Sequence, residues 1–280
     1  MKFQQIVQAV YFEPWSITRE GWSAVHAIVG PRVKELGLAG ALALPKMEED
    51  PDVDFFGNPM PKLEITGEGV AIVPIQGTLL QHASLMDKMC GACSYADIVR
   101  DLDTAVGSRG LQKIVLNISS PGGMCLGNQE VAGKVSTLRE SDIRIEAVTD
   151  TLMCSAAYNI AAACNRISAT SSSMVGSIGS LNAFLDESLA YEAAGLQVEV
   201  FATGALKGTG MPGTKLSEAQ REYMQGRVDK YGGMFKDHVR AYRVVEEEAM
   251  QGQVFIGSEA LEAGLVDVIV QEVGNCLCVD

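Results

Sequence analysis

Three short stretches of this chain carry side chains suited to nucleophilic chemistry. Ser155 stands in Met153-Cys154-Ser155-Ala156-Ala157-Tyr158, at the head of a run of small residues. A serine entering a helix after a strand exposes its hydroxyl to a crevice and aims the helix's free N–H groups toward negative charge. The same position also suits a plain helix cap. Ser120-Pro121-Gly122-Gly123 places paired glycines directly after an apolar strand ending Asn117-Ile118. Such glycines let the backbone turn sharply and bring two N–H donors to a developing oxyanion; an ordinary tight turn uses them equally well. Lys207, in Gly204-Ala205-Leu206-Lys207-Gly208-Thr209-Gly210, can act as a general base if a dry cleft lowers its pKa from about 10.4. The alternative is a solvated loop lysine.

The histidines sharpen the choice of base. Only His26, His82 and His238 are present, and none follows Ser155 closely on a loop. A Ser-His-Asp arrangement therefore has no obvious base, and lysine is the natural activator.

Bringing these groups together requires strands that end at one edge. The hydrophobic pattern predicts strands over Val70–Ile75, Lys113–Ile118, Arg144–Thr149, Arg166–Ala169 and Val198–Ala202. Helices are predicted between them over Asp97–Val106, Gln129–Leu138, Ala156–Cys164 and Asp186–Ala194. This alternation builds an α/β fold, a parallel sheet with helical crossovers, and ligands bind outside the carboxyl ends of its strands. Ser217 and Gln220 form a capping-box pair at the head of a long helix running to about Arg243, with an apolar stripe through Tyr223, Tyr231, Met234, Phe235, Val239 and Tyr242. A short helix (Ser258–Ala263) and a closing strand (Val266–Val270) are expected after it.

Residues 1 to about 45 read as a preface with a helix from Thr18 to Leu36, and residues 45–62, with four prolines, as a linker. The expected division is an extension and linker over 1–61 and a catalytic domain over 62–280.

Composition excludes several classes of function. A net charge of −13 argues against a sequence-independent grip on nucleic acid. No run of 18 apolar residues is available for a membrane span, and the start lacks a secretory apolar core, so a cytoplasmic location is expected. Seven cysteines leave one unpaired in any disulfide scheme, and Cys90-Gly91-Ala92-Cys93 has no second pair of its kind nearby. Reduced thiols, with no metal and no cofactor, are the simplest expectation.

The stretch from about Val70 to Val270 resembles the signal peptide peptidase A family, serine-lysine peptidases of the Clp protease and crotonase superfamily. The segments carrying the resemblance are Val70–Gly77, Ile114–Gly123, Cys154–Tyr158, Gly176-Ser177-Ile178-Gly179, Gly204–Lys207 and Val254–Asp267, in family order. The resemblance implies a ClpP/crotonase-like spiral of βαβ units with a long C-terminal helix. It implies Ser155 as nucleophile, Lys207 as base and Ser177 as the residue orienting the lysine. It also implies an oxyanion hole from the N–H groups of Gly123 and Ala156, with Gly122 shaping the turn. Ala156 and Ala157 stand where the family usually has glycines.

Tyr11-Phe12-Glu13-Pro14-Trp15-Ser16-Ile17 followed by a helix is similar to the start of phage head maturation proteases in that family. That similarity implies scaffold and capsid proteins as substrates, a homo-oligomer, and a location in the host cytoplasm or assembling virion. Other readings are an SppA-like peptide-degrading peptidase, a crotonase-like acyl-CoA enzyme, and a non-catalytic capsid-assembly protein.

Overall fold

The computed structural model describes residues 14–27, 30, 53, 59–141 and 143–278. Its elements begin with β1 (Trp15–Ile17), α1 (19–27), β2 (Glu64–Ile65), β3 (Val70–Gln76), β4 (Thr78–Leu80), α2 (Leu85–Met89), β5 (Ala92–Ser94) and α3 (Tyr95–Val106). Next come β6 (Lys113–Ser119), β7 (Gly122–Met124), α4 (Asn128–Glu140), β8 (Arg144–Thr149), β9 (Leu152–Cys154), α5 (Ala156–Ala162), β10 (Arg166–Thr170) and β11 (Met174–Gly176). The chain continues through α6 (Ser188–Ala193), α7 (Glu218–Tyr242), β12 (Val254–Ile256), α8 (Gly257–Glu262) and β13 (Val268–Val270).

The main sheet has the order β13-β10-β8-β6-β3-β2, with all neighbours parallel except the short β2. Strands covered on both faces read as unbroken Val, Ile and Leu runs, and Ile114, Val115, Leu116 and Ile118 of β6 are all buried. Pro74 sits in β3 past the two residues that β2 covers, so its missing N–H leaves no ladder bond unmade on that side. The expected α/β fold with a parallel sheet is the one observed.

Each of the four central main-sheet strands is followed by a three-residue strand that leaves the sheet: β4 after β3, β7 after β6, β9 after β8, β11 after β10. These short strands make two small sheets, β1-β7-β4-β5 and β12-β11-β9. The small sheets are bridged where Ser120 N–H donates to Leu152 O (2.8 Å) and Cys154 N–H to Ser120 O (3.1 Å). A helix then returns the chain. Tyr95, Ile98, Leu102 and Ala105 turn one face of α3 to the core, and Val131, Ala132, Val135 and Leu138 do so for α4.

Helix α5 is buried all round, which its sequence AAYNIAA permits because small side chains let neighbours close in on every side. Its Tyr158 hydroxyl donates to Leu265 O at 2.9 Å, so the one large polar side chain there is satisfied. Helix α7 starts at the capping box expected from Ser217 and Gln220. Of its apolar stripe only Phe235 and Val239 are buried, whereas Tyr223 and Met234 are exposed. The C-terminal end is fastened by Arg243, whose guanidinium reaches both carboxylate oxygens of Asp267 (2.8 and 2.7 Å) and the carbonyls of Ala162 and Cys164.

Two expectations change. Residues 198–202 form no strand; Phe201 is 92% exposed and no described residue pairs with the segment. Its apolar alternation suits a strand, but a strand without a ladder partner leaves its backbone to water. The N-terminal helix is described over 19–27 and at residue 30, and the rest of its expected length lies outside the described residues. Thr18 caps it as expected, accepting the Gly21 N–H at 3.1 Å.

Candidate active site

Ser155 stands between β9 and α5, as the N-cap of the helix, with φ 54° and ψ −121°, a conformation costly for any residue with a side chain. The turn is held from both sides: Ser155 N–H donates to Gly176 O (2.7 Å), and its carbonyl accepts the Asn159 N–H (2.9 Å). Below it, Asn128 Nδ2 donates to Ala156 O (2.8 Å), and Asn159 Nδ2 donates to Asn128 Oδ1 (2.6 Å). The residue is 1% exposed, and among the described residues its buried Oγ has no hydrogen-bond partner. A buried hydroxyl left unmatched costs free energy, a cost commonly found where chemistry is done.

Gly122 faces this turn. A Cβ there would come to 2.8 Å of Ser155 Cβ and 3.1 Å of Ala156 N, and would overlap the carbonyl oxygen of Ser16. Only a glycine, here at φ 102°, lets the two backbones close in this way. Its own N–H is taken by Ser120 Oγ at 3.1 Å. Gly123 packs so tightly on β4 that a side chain would strike the Leu79 backbone. The structure thus brings Gly122, Ser155 and Ala156 together, with Gly123 beside Gly122 on β7.

Ser177 repeats the geometry of Ser155 one row over. It follows β11, has φ 54°, is 7% exposed, and donates its N–H to Gln253 O at 2.7 Å. Because Gly176 is the acceptor for Ser155 N–H, the two serines occupy adjacent rows.

Lys207 stands apart. It lies in an exposed run of turns, with its backbone N–H on Gly204 O at 3.0 Å, and makes no hydrogen bond to Ser155. The segment that carries it displays Leu185, Leu189, Leu196 and Phe201, exposed by 63%, 69%, 58% and 92%.

One contributor was not anticipated. The N-terminal strand β1 pairs antiparallel with β7, in register Trp15↔Met124, Ser16↔Gly123 and Ile17↔Gly122. Trp15 is fully buried and meets Trp22 edge-on at 5.5 Å. The signal was the alternation of Trp15 and Ile17 about Ser16, a period-two pattern that a preface has no need to contain. A cleft of about 590 Å³ opens beside β1, walled by Trp15, Ile17, Ser177, Gly179, Leu181 and Gly232. Ser155 does not line it.

Known proteins resemble this chain in sequence. Residues 137–273 match the model of peptidase family S49. The chain is 30% identical over 206 residues to the capsid assembly protease C of Escherichia phage lambda, covering 72% of this chain and 46% of that one. It is 31% identical over 205 residues to the head-tail preconnector protein GP5 of Enterobacteria phage P21, covering 72% and 41%. A putative signal peptide peptidase SppA of Enterococcus faecium is 29% identical over 180 residues, covering 63% and 52%. The chain is therefore a relative of the SppA-like and phage capsid proteases, and it spans less than half the length of the two phage relatives.

Proposed function

We propose that this chain, matched to peptidase family S49 over residues 137–273, is a serine endopeptidase with Ser155 as nucleophile and Lys207 as base. The observation that carries the reading is the Ser155 turn: a strained, buried and unpartnered hydroxyl facing the Gly122-Gly123 backbone at a helix N-terminus. Ser155 Oγ attacks the peptide carbonyl, and the Gly123 and Ala156 N–H groups hold the oxyanion. Uncharged Lys207 takes the serine proton and passes it to the leaving amine, and water then releases the acyl group. Ser177, beside the nucleophile, holds the lysine in place.

This chemistry requires Lys207 to come to Ser155, by rearrangement of segment 183–215 or from a second copy. The exposed leucines and Phe201 on that segment favour a second copy, because apolar area of this kind is usually covered by a partner. A homo-oligomer is the expected active form. Scaffold and capsid proteins are the proposed substrates, following the phage relatives, and action in the host cytoplasm or assembling virion follows from that. Among the described residues no helix is long and apolar enough to cross a membrane.

The exposed position of Lys207 also favours a second reading, a capsid-assembly protein that keeps the fold without turnover. Cleavage of an unstructured protein separates the two. Wild type should cut it, and Ser155→Ala and Lys207→Ala should each lose cleavage. Full activity in either variant refutes the dyad, and an inactive wild-type oligomer supports the assembly reading. Mass spectrometry of a neighbouring capsid or scaffold protein after incubation would then locate the cut bonds.

A further inference from the structure

Strand β1 does more than extend a small sheet. Thr18 N–H donates to Pro121 O (2.9 Å) and Cys125 N–H to Pro14 O (3.2 Å), which makes 18↔121 and 14↔125 hydrogen-bonded pairs of the antiparallel ladder. Such pairs alternate, so Ser16↔Gly123 is the hydrogen-bonded pair between them, and Ser16 O accepts the Gly123 N–H. That N–H is the oxyanion donor of the proposed mechanism. On the other edge Trp15 N–H donates to Leu181 O (2.9 Å) and Leu181 N–H to Trp15 O (2.8 Å). Residues 14–18 thus fill a slot between β7 and Leu181, bonded on both edges as an extended peptide is when it adds to a sheet.

The position of the Ser16 carbonyl is the decisive detail. Its oxygen and Ser155 Cβ both lie under 3.0 Å from the place a Gly122 Cβ would take. The Ser16 hydroxyl donates to Gly179 O (3.0 Å) and lies 3.3 Å from Cys125 Sγ, so this side chain enters a small polar niche. Trp15, on the opposite face of the strand, is buried completely.

We propose that Pro14–Thr18 occupies the substrate slot in the manner of a substrate, with the Ser16–Ile17 peptide at the nucleophile. The proposal rests on Ser155 being the nucleophile. The slot takes an extended peptide with a small residue at the cut position and a large apolar residue before it. The chain's own segment must leave before another protein enters. With Lys207 away from Ser155, the bound segment stays intact.

The test compares wild type with Trp15→Asp, which removes the buried anchor, and Ser16→Pro, which removes a ladder N–H; a thermal melt of each checks that the body stays folded. Amide exchange reads occupancy without any catalysis. The Thr18 and Cys125 amides should be protected in wild type and exchange at least tenfold faster in the variants. A fluorophosphonate probe should acylate Ser155 about tenfold faster in the variants, and a synthetic peptide covering residues 11–20 should slow that labelling. Free exchange at Thr18 and Cys125 in wild type overturns the proposal. So does equal labelling at Ser155 in all three proteins, a result that leaves the nucleophile standing. If none of the three is labelled, the Ser155 reading falls, and amide exchange alone decides whether the slot is filled.

Discussion

Ser155 and Ser177 share a φ of 54°, and a single hydrogen bond, from Ser155 N–H to Gly176 O, joins their turns. Two non-glycine residues held this way in adjacent rows store strain next to the proposed reaction centre. Ser155→Gly should therefore raise stability by about 1 kcal/mol, the relief of strain exceeding the entropy cost of glycine. The same change should abolish turnover. Urea denaturation and a cleavage assay read the two effects separately, and a destabilised Ser155→Gly protein would contradict the strain.

Gly122→Ala should fail in the opposite sense. Its methyl would overlap Ser16 O and crowd Ser155 Cβ at a backbone angle that alanine avoids. The expected loss is at least about 1 kcal/mol of stability. Turnover should fall on the order of 100-fold as the oxyanion donors shift. Calorimetry and kinetics on the purified variant test both.

The four central strands of the main sheet, β3, β6, β8 and β10, were legible in the sequence because they are five to seven residues long and apolar enough to signal burial. The short strands β4, β7, β9 and β11 were not, since three residues hold too little periodicity to register. Yet the site is built on them: Gly122 and Gly123 lie on β7, Ser155 follows β9, and Ser177 follows β11. Motif chemistry and family resemblance pointed to these residues as candidates, and neither carries their geometry. Strand β1 was missed for another reason. Its partners Gly123 and Leu181 are more than a hundred residues away, and local pattern carries no information about such pairing.

Lys113 and Glu146 form a buried ion pair between β6 and β8, at 3.4 Å with side chains 4% and 5% exposed. Lys113 also donates to Cys276 O (3.1 Å), and Arg144 holds the other carboxylate oxygen at 2.7 Å. Lys113→Ala leaves one oxygen of the buried carboxylate without its cation, Arg144 still holding the other, and should cost up to about 3 kcal/mol. The double change Lys113→Met with Glu146→Leu should cost less than that single one. Denaturant melts of the three proteins give the comparison.

Burial pushes the thiols of Cys154 and Cys164 up to about 12. At about pH 8 almost none of either is thiolate, the form that reacts. Iodoacetamide should modify the exposed Cys90 and Cys278 in the folded protein, and reach Cys154 and Cys164 only after unfolding. Peptide mapping of the alkylated sites checks this.

His238 is held below its ordinary value near 6.5 because burial penalises its cation. Folding thus favours the neutral ring. Above that value neither state holds the proton; as pH falls through it the unfolded chain binds one first, and stability declines. Between about pH 7.5 and about pH 5.5, wild type should lose more stability than His238→Phe. Equal losses would remove His238 as a contributor.

The strand formed by Trp15–Ile17 is covalently tied to the sheet it completes. A tethered occupant competes at an effective concentration on the order of millimolar, however dilute the protein is. Dilution therefore cannot vacate the slot. Under the proposed substrate role of the slot, a rival chain of equal intrinsic affinity displaces it only where its local concentration is similar, so packing of neighbours, rather than total amount of enzyme, would govern access.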